Sequence, residues 1–398
     1  MDRTATTPQV LRRTNLTAVL GVMRESAALT GTDLIEATGL TRATVIAVCD
    51  DLIRRGWVRE LNAPKGPGPQ KGRPARYFEF NESAGCVLGL DVGMATTTVL
   101  VADLKGRILA RSSERFSKNA SADARRGTIS RAADTALAAA GLGPSAVLAA
   151  GIGVATAVDR HGNVVQGRPL SASFDLGLQT EVWQQHGWPV LLENDAKLAA
   201  LAERWCGVGT GVDDLAAMLA GERIATGLIE SGRLLHGSNG GAGEVGSLEL
   251  VDGVGSHDGI AKLARVWGTE LLASGAETRI RELVGPGTTR VSARFVFEAA
   301  AGGDAAAQQI LERIARRMAR VISLLATLLN PELVVIGGAV AASAAMLLPT
   351  IAAELPRLTG TPPRVAVSPL GAAIVATGAV RLALDYVEQN ALGLTPAG

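Results

Sequence analysis

The sequence predicts an α/β chain in two unequal parts: a small helical module closed by a basic hairpin, then a larger body of alternating strands and helices. Three observations carry this. Before residue 56, apolar residues recur at helical spacing between threonine and glycine punctuation. From residue 87 onward, short apolar strands end in Asp or Gly and alternate with helical stretches. Finally, 398 residues that are 47% hydrophobic and 19% charged suffice for two or three domains.

The net charge of +1 hides an asymmetry. Residues 1–80 carry 12 Lys and Arg against 8 Asp and Glu, whereas residues 81–398 carry 27 against 30. A basic N-terminal segment on a mildly acidic body points to a nucleic-acid module. The three cysteines, Cys49, Cys86 and Cys206, are scattered and form no CxxC, so neither a disulfide framework nor a cysteine zinc knuckle is expected. No apolar run reaches the length of a membrane span, and the N-terminus lacks a signal-peptide core. A cytoplasmic protein with no membrane partner is expected.

In the N-terminal part, Leu16, Val19, Leu20 and Met23 mark a first helix. Thr30 can cap a second, with Asp33 three residues on as in a capping box, and Gly39 ends it in the left-handed conformation. Thr41 caps a third helix to Arg55, with Val45, Val48, Leu52 and Ile53 facing inward. A short helix, a glycine turn and a second helix read as helix-turn-helix. Trp57–Leu61 and Tyr77–Phe80 form the strands of a wing, and its tip, rich in Pro, Gly, Lys and Arg, contains Gly72-Arg73-Pro74. An extended Arg of this kind suits a narrow, electronegative minor groove. Thr41, Arg42, Ala43 and Thr44 are therefore expected at base edges or phosphates in the major groove, with Lys71, Arg73 and Arg76 serving the wing.

The body opens on the strand Val87–Gly93, which ends in Asp91 and Gly93, followed by strands Thr96–Asp103 and from Arg107. Pro189–Asp195 delivers Asn194 and Asp195 to a strand's C-terminal end, where a carboxylate can take a proton from a substrate hydroxyl. Apolar runs flank a glycine turn from Leu219 to Leu228, the shape of a phosphate-cradling hairpin. Gly237–Gly246 is a glycine ladder presenting Glu244. Asn330–Ala339 is a strand running into Gly337-Gly338, a shape that fits adenosine.

On Glu193-Asn194-Asp195, Gly240 through Gly246 and Pro331 through Gly338, the chain resembles the ROK family, which groups transcriptional repressors with sugar kinases. The resemblance runs from about residue 15 to the C-terminus. It implies a winged helix-turn-helix followed by a two-lobed actin-like ATPase (sugar kinase) fold. The corresponding domains are 1–80 for DNA binding, 81–195 for the small lobe and 196–369 for the large lobe, with a helix at about 370–390 returning to the small lobe. The repressor branch implies a homodimer or dimer of dimers on a palindromic double-stranded operator. Its effector would be a sugar or sugar phosphate, held by Asn194, Asp195 and Glu244.

The chain departs from the kinase pattern in three places. The first phosphate loop, DxGGTK in family kinases, is Asp91-Val92-Gly93-Met94-Ala95-Thr96. The second, usually GTGxGxG, is Gly221-Glu222-Arg223-Ile224-Ala225-Thr226-Gly227. A carboxylate about 4 Å from one phosphate charge costs roughly 1 kcal/mol in water and about 4 at intermediate dielectric, so Glu222 opposes ATP. The zinc pattern, ExGH followed by CxCGxxGCxE, becomes Glu244-Val245-Gly246-Ser247 and a cysteine-free Ser256–Lys262, leaving His257 as a surface residue. Neither zinc nor ATP is expected. Asp91, Gly93, Gly221, Glu222, Gly337 and Gly338 then mark a degraded nucleotide site, and Asp195 is a vestigial base. The expected function is a ligand-responsive DNA-binding regulator, with kinase activity lost. The alternatives are a sugar kinase with atypical loops using Asp195, and a ligand-independent DNA-binding protein.

Overall fold

Local chemistry sets the N-terminal module in the computed structural model, which describes residues 8–61, 76–117, 119–167, 170–178, 186–285 and 290–396. Its elements are α1 (Pro8–Glu25), β1 (Leu29–Thr30), α2 (Gly31–Thr38), α3 (Arg42–Arg54), β2 (Val58–Leu61) and β3 (Tyr77–Phe80). Asp33 completes the capping box: its carboxylate accepts from the Thr30 N–H at 2.7 Å, while Thr30 Oγ1 accepts from the Asp33 N–H at 3.3 Å. Gly39 closes α2 at φ 68°, and Thr41 caps α3. The strands pair antiparallel in the order β1-β3-β2. Lys71 and Arg73 lie outside the described residues.

The chain then runs through β4 (Cys86–Val92), β5 (Thr96–Asp103), β6 (Ile108–Arg115), α4 (Ala122–Ala139), β7 (Val147–Val154), α5 (Ser171–Phe174), β8 (Val190–Asn194) and α6 (Asp195–Cys206). These strands make one five-stranded sheet, β6-β5-β4-β7-β8, in which β4, β7 and β8 are parallel. The chain continues with β9 (Leu215–Leu219), β10 (Ala225–Glu230), β11 (Arg233–Leu234), α7 (Ile260–Ala273), α8 (Ile280–Val284), α9 (Ala293–Ala301) and α10 (Ala305–Leu329). It finishes with β12 (Leu333–Gly337), α11 (Ala341–Ala344), α12 (Leu348–Leu358), β13 (Arg364–Val367) and α13 (Ile374–Asn390). A second five-stranded sheet, β11-β10-β9-β12-β13, results.

Two helices join the sheets. α6 packs on β9 and β10 of the second sheet, and α13 packs on β4 and β7 of the first, with α6 and α13 against each other. The N-terminal module is welded to the same assembly. One hydrophobic core runs from Leu16, Val19 and Leu52 through Leu104 and Leu148 to Val380, Leu384 and Val387. Residue 80 therefore marks a change of architecture inside a continuous core.

Candidate functional site

The N-terminus of α3 is the presented edge of the module. Thr41, Arg42 and Ala43 are exposed and Thr44 is half-buried. Thr41 Oγ1 lies 2.9 Å from Thr44 Oγ1 and accepts from the Thr44 N–H at 3.3 Å, fixing the first turn. Arg76 has a framework role that its sequence position did not announce. Its guanidinium donates to both oxygens of Glu60 at 2.8 and 2.7 Å, pairs with Asp50 of α3 at 2.8 Å and lies over the Phe78 ring. It ties the start of β3 to β2 and α3.

The candidate ligand cleft forms at the carboxyl ends of the parallel strands, where open α/β sheets present their ligands. Strand register puts Asp91, Gly153 and Glu193 in one row, with Asn194 next, ending β8, and Asp195 opening α6. Burial pushes the Asp195 carboxyl up to about 7, and the charges of Asp91 and Glu244 add to that effect. Burial pushes Asp91 up to about 7 as well. Glu244 is exposed on the glycine ladder. Asp91 and Glu244 thus both act on Asp195 through their charge.

Asn194, expected to hold the effector, has its side chain engaged within the protein. It is buried, its Oδ1 accepts from the Ala196 and Lys197 N–H groups at 3.0 and 3.2 Å, and its Nδ2 donates to the Thr156 carbonyl at 3.0 Å. Asn194 caps α6 and so aims Asp195.

A buried polar network holds the ladder in place. Lys197, 1% exposed, donates to the Gly240 carbonyl at 2.7 Å and lies 3.7 Å from Glu193 Oε1, while His236 Nε2 lies 2.7 Å from Glu193 Oε2. Gly240 and Gly243 must be glycine: an added Cβ would stand 2.1 Å from the Val158 carbonyl and 1.9 Å from that of Thr226. Sequence reasoning assigned no role to Lys197, although its i+4 spacing from Glu193 on the strand-to-helix junction was visible.

Both phosphate loops are closed onto protein groups. In the first, the buried Arg125 of α4 donates to the Gly93 carbonyl at 3.0 Å and to that of Met94 at 3.5 Å, sandwiched by Phe116 and Phe174. In the second, Glu222 proves not to be an isolated anion. Arg265 of α7 grips it with two bonds of 2.6 and 2.7 Å, which holds its carboxyl below the usual range. The free-charge repulsion expected of Glu222 is thereby corrected: a cation 43 residues away neutralises it. The hairpin's backbone is bonded to α7 and to the loop before it. Carbonyls of Ala220 and Gly221 accept from the first N–H groups of α7 at 2.7 and 3.0 Å, and the Ile224 N–H donates to the His257 carbonyl at 2.8 Å. Beyond β12, Gly337 and Gly338 form the turn into α11, with Gly338 at φ 89°.

The cysteine-free loop before α7 has its own staple. Arg317 of α10 is buried and donates to the carbonyls of Val254 at 2.7 Å, Asp258 at 2.8 Å and Ser256. One guanidinium crosslinks three carbonyls of the segment where the kinase pattern carries zinc ligands. His257 is half-buried, not a surface residue as its position suggested, and its buried Nδ1 has no partner among the described residues. Among the described residues, no group of three or more His, Cys, Asp or Glu is placed to hold a metal ion.

Comparison with known proteins follows the same lines. The ROK family profile matches residues 87–385. A xylose repressor of Caldicellulosiruptor bescii is 25% identical over 338 residues, covering 82% of this chain and 84% of that protein. A crystal structure of a ROK family transcriptional regulator, a homolog of the E. coli MLC protein, superposes with TM-score 0.79 at 20% identity, covering 96% of this chain and 98% of that one. A ROK glucokinase from Streptomyces griseus, solved with glucose and AMPPNP, superposes with TM-score 0.64 at 27% identity over 76% of this chain and all of that one. With its two five-stranded sheets, its glycine ladder and three quarters of its length matched, the chain belongs to the ROK family.

Proposed function

We propose that this protein is a sugar-responsive DNA-binding transcriptional repressor whose sensor has lost phosphoryl transfer. The observation that carries the reading is the exposed α3 N-terminus on a module sharing one core with the ligand-binding lobe. Arg42 stands there with no protein partner among the described residues, available to a phosphate or a base edge. The named relatives, a xylose repressor and a ROK transcriptional regulator, support it. Effector recognition would fall to Asp195 and Glu244, carboxylates suited to sugar hydroxyls in a cleft. A homodimer would match the half-sites of a palindromic operator. Ligand closing the cleft would move α6 and α13 together and so displace the module docked on α13.

Loss of kinase activity is supported by the two closed loops. Arg125 bonds the carbonyls of the first, and α7 bonds the second through the Ala220 and Gly221 carbonyls and the Glu222–Arg265 pair. One observation favours the kinase reading instead: a carboxyl held near 7 at Asp195 has the basicity of a general base at neutral pH. A coupled assay of ATP consumption over a panel of hexoses and pentoses decides between them. The proposal expects no turnover and no ATP-dependent rise in Tm, together with a sugar-dependent rise in Tm. Turnover abolished by Asp195→Asn would establish the kinase.

A further inference from the structure

Where the N-terminal module meets the end of α13, a cavity of about 570 Å³ opens between α1, the C-terminal end of α3 and the last turn of α13. Arg12, Arg13, Arg55, Tyr386 and Asn390 line it. Three guanidinium groups therefore face one small space, and their carboxylate partners do not match them in number. Arg12 donates to Asp51 Oδ2 at 2.8 Å and Arg55 to Asp51 Oδ1 at 3.2 Å. That one carboxylate also accepts from Arg54 at 2.9 Å. Arg13 has no carboxylate partner among the described residues. Its Nε and Nη2 donate to the Gln389 carbonyl at 3.0 and 2.6 Å, and Nη2 also to Asn390 Oδ1 at 2.9 Å.

Each guanidinium carries five N–H donors in a planar fork. Among the described residues, Arg12 uses only Nη2, Arg13 keeps both protons of Nη1, and Arg55 keeps Nη2 after giving Nε to Asp51 and Nη1 to the Leu392 carbonyl. Among the described residues, the cavity wall thus has more charged donors than carboxylate acceptors. Its size falls within the range of small-molecule sites. We propose that this cavity binds a small multivalent oxyanion, a phosphate monoester or a polycarboxylate, through Arg12, Arg13 and Arg55.

Two distances separate the site from the surfaces already described. Thirteen residues of α3 rise about 20 Å, so the cavity stands roughly that far from the DNA-reading turn at Thr41. Seventeen residues of α13 rise about 25 Å, placing its far end away from the ligand cleft. The occupant is accordingly neither operator backbone nor the cleft's sugar. An anion held there bridges α1 and α3 to α13 and stiffens the joint between reader and sensor.

Isothermal titration of the full chain with inorganic phosphate and with citrate, in zwitterionic buffer at ionic strength fixed by NaCl, tests this. The expected result is saturable binding of at least one of the two at one site per chain. Arg13→Gln should weaken it tenfold or more, and Arg13→Lys, which keeps the charge but not the fork, severalfold. Should Arg13→Gln fail to fold, the Arg13→Lys comparison carries the same decision. Asp195→Asn should bind the anion unchanged, which separates this site from the cleft. No saturable heat with either anion, unchanged affinity in Arg13→Lys, or loss of binding in Asp195→Asn would overturn the proposal.

Discussion

Asp195 shows most plainly how the cleft stores unfavourable electrostatics. Burial, then Asp91, then Glu244 hold its carboxyl at about 7 in the folded chain, against an unfolded value near the ordinary 3.8. A carboxyl raised on folding is protonated in the native state while already ionised in the unfolded one. Stability therefore falls as pH rises between about 4 and about 7. Asp195→Asn removes that penalty, so it should raise Tm by several degrees at pH 8 and by much less at pH 5, read by differential scanning fluorimetry. An equal shift at both pH values would show that the carboxyl is not strained. Arg317 is the opposite case, a charge that the fold depends on. Arg317→Met leaves three carbonyls without their donor and should cost about 3 kcal/mol, measured by urea unfolding. Neither effect was readable from the chain alone. Asp195 lay in a quoted motif, but its repulsion comes from Asp91 and Glu244, far apart in sequence. Nothing near Arg317 signals the loop that it holds.

The helices and turns of the N-terminal module were legible because their determinants are local. Thr30 with Asp33, Gly39, and Thr41 with Thr44 each act within four residues, and the structure places every one as a cap. The glycine ladder was legible as a shape but not as a contact, since Gly240 and Gly243 answer to Val158 and Thr226 across the fold. Glu222 was misjudged for the same reason, its partner Arg265 lying on another element. Thr41→Ala should destabilise α3 by about 1 kcal/mol. Arg42→Ala should leave Tm unchanged, weaken operator binding and lower the salt slope by about 1, as expected for one lost phosphate contact. Fluorescence anisotropy across a salt series reads both quantities, and an unaltered slope would remove Arg42 from the interface.

At the scale of the molecule, one shared core joins the N-terminal module to the body, and the proposed coupling of DNA binding to ligand would run through it. Leu104, Leu384 and Val387 pack against the same cluster as Leu16, Val19 and Leu20. Arg24 of α1 adds a bridge of 3.3 Å to Glu388 of α13. Truncating Val387 to Ala should cost about 1–3 kcal/mol and lower the hydrogen-exchange protection of α1 together with that of α13. Loss confined to α13 would mean that the two parts unfold separately. The N-terminal helices and several body strands could be read from their own residues, whereas the two-lobed architecture was legible only through the resemblance to a known family. The continuity of the core could not be read, since it joins helices more than 300 residues apart. The central claim is that a sugar in the cleft controls the hold of α3 on DNA. It is tested most directly by anisotropy titration of the full chain on a palindromic site from its own upstream region, with and without a panel of neutral sugars. The account predicts nanomolar, salt-dependent binding that at least one sugar shifts tenfold or more and that Asp195→Asn renders insensitive to that sugar. Binding that no sugar alters, or a sugar response preserved in Asp195→Asn, would contradict it.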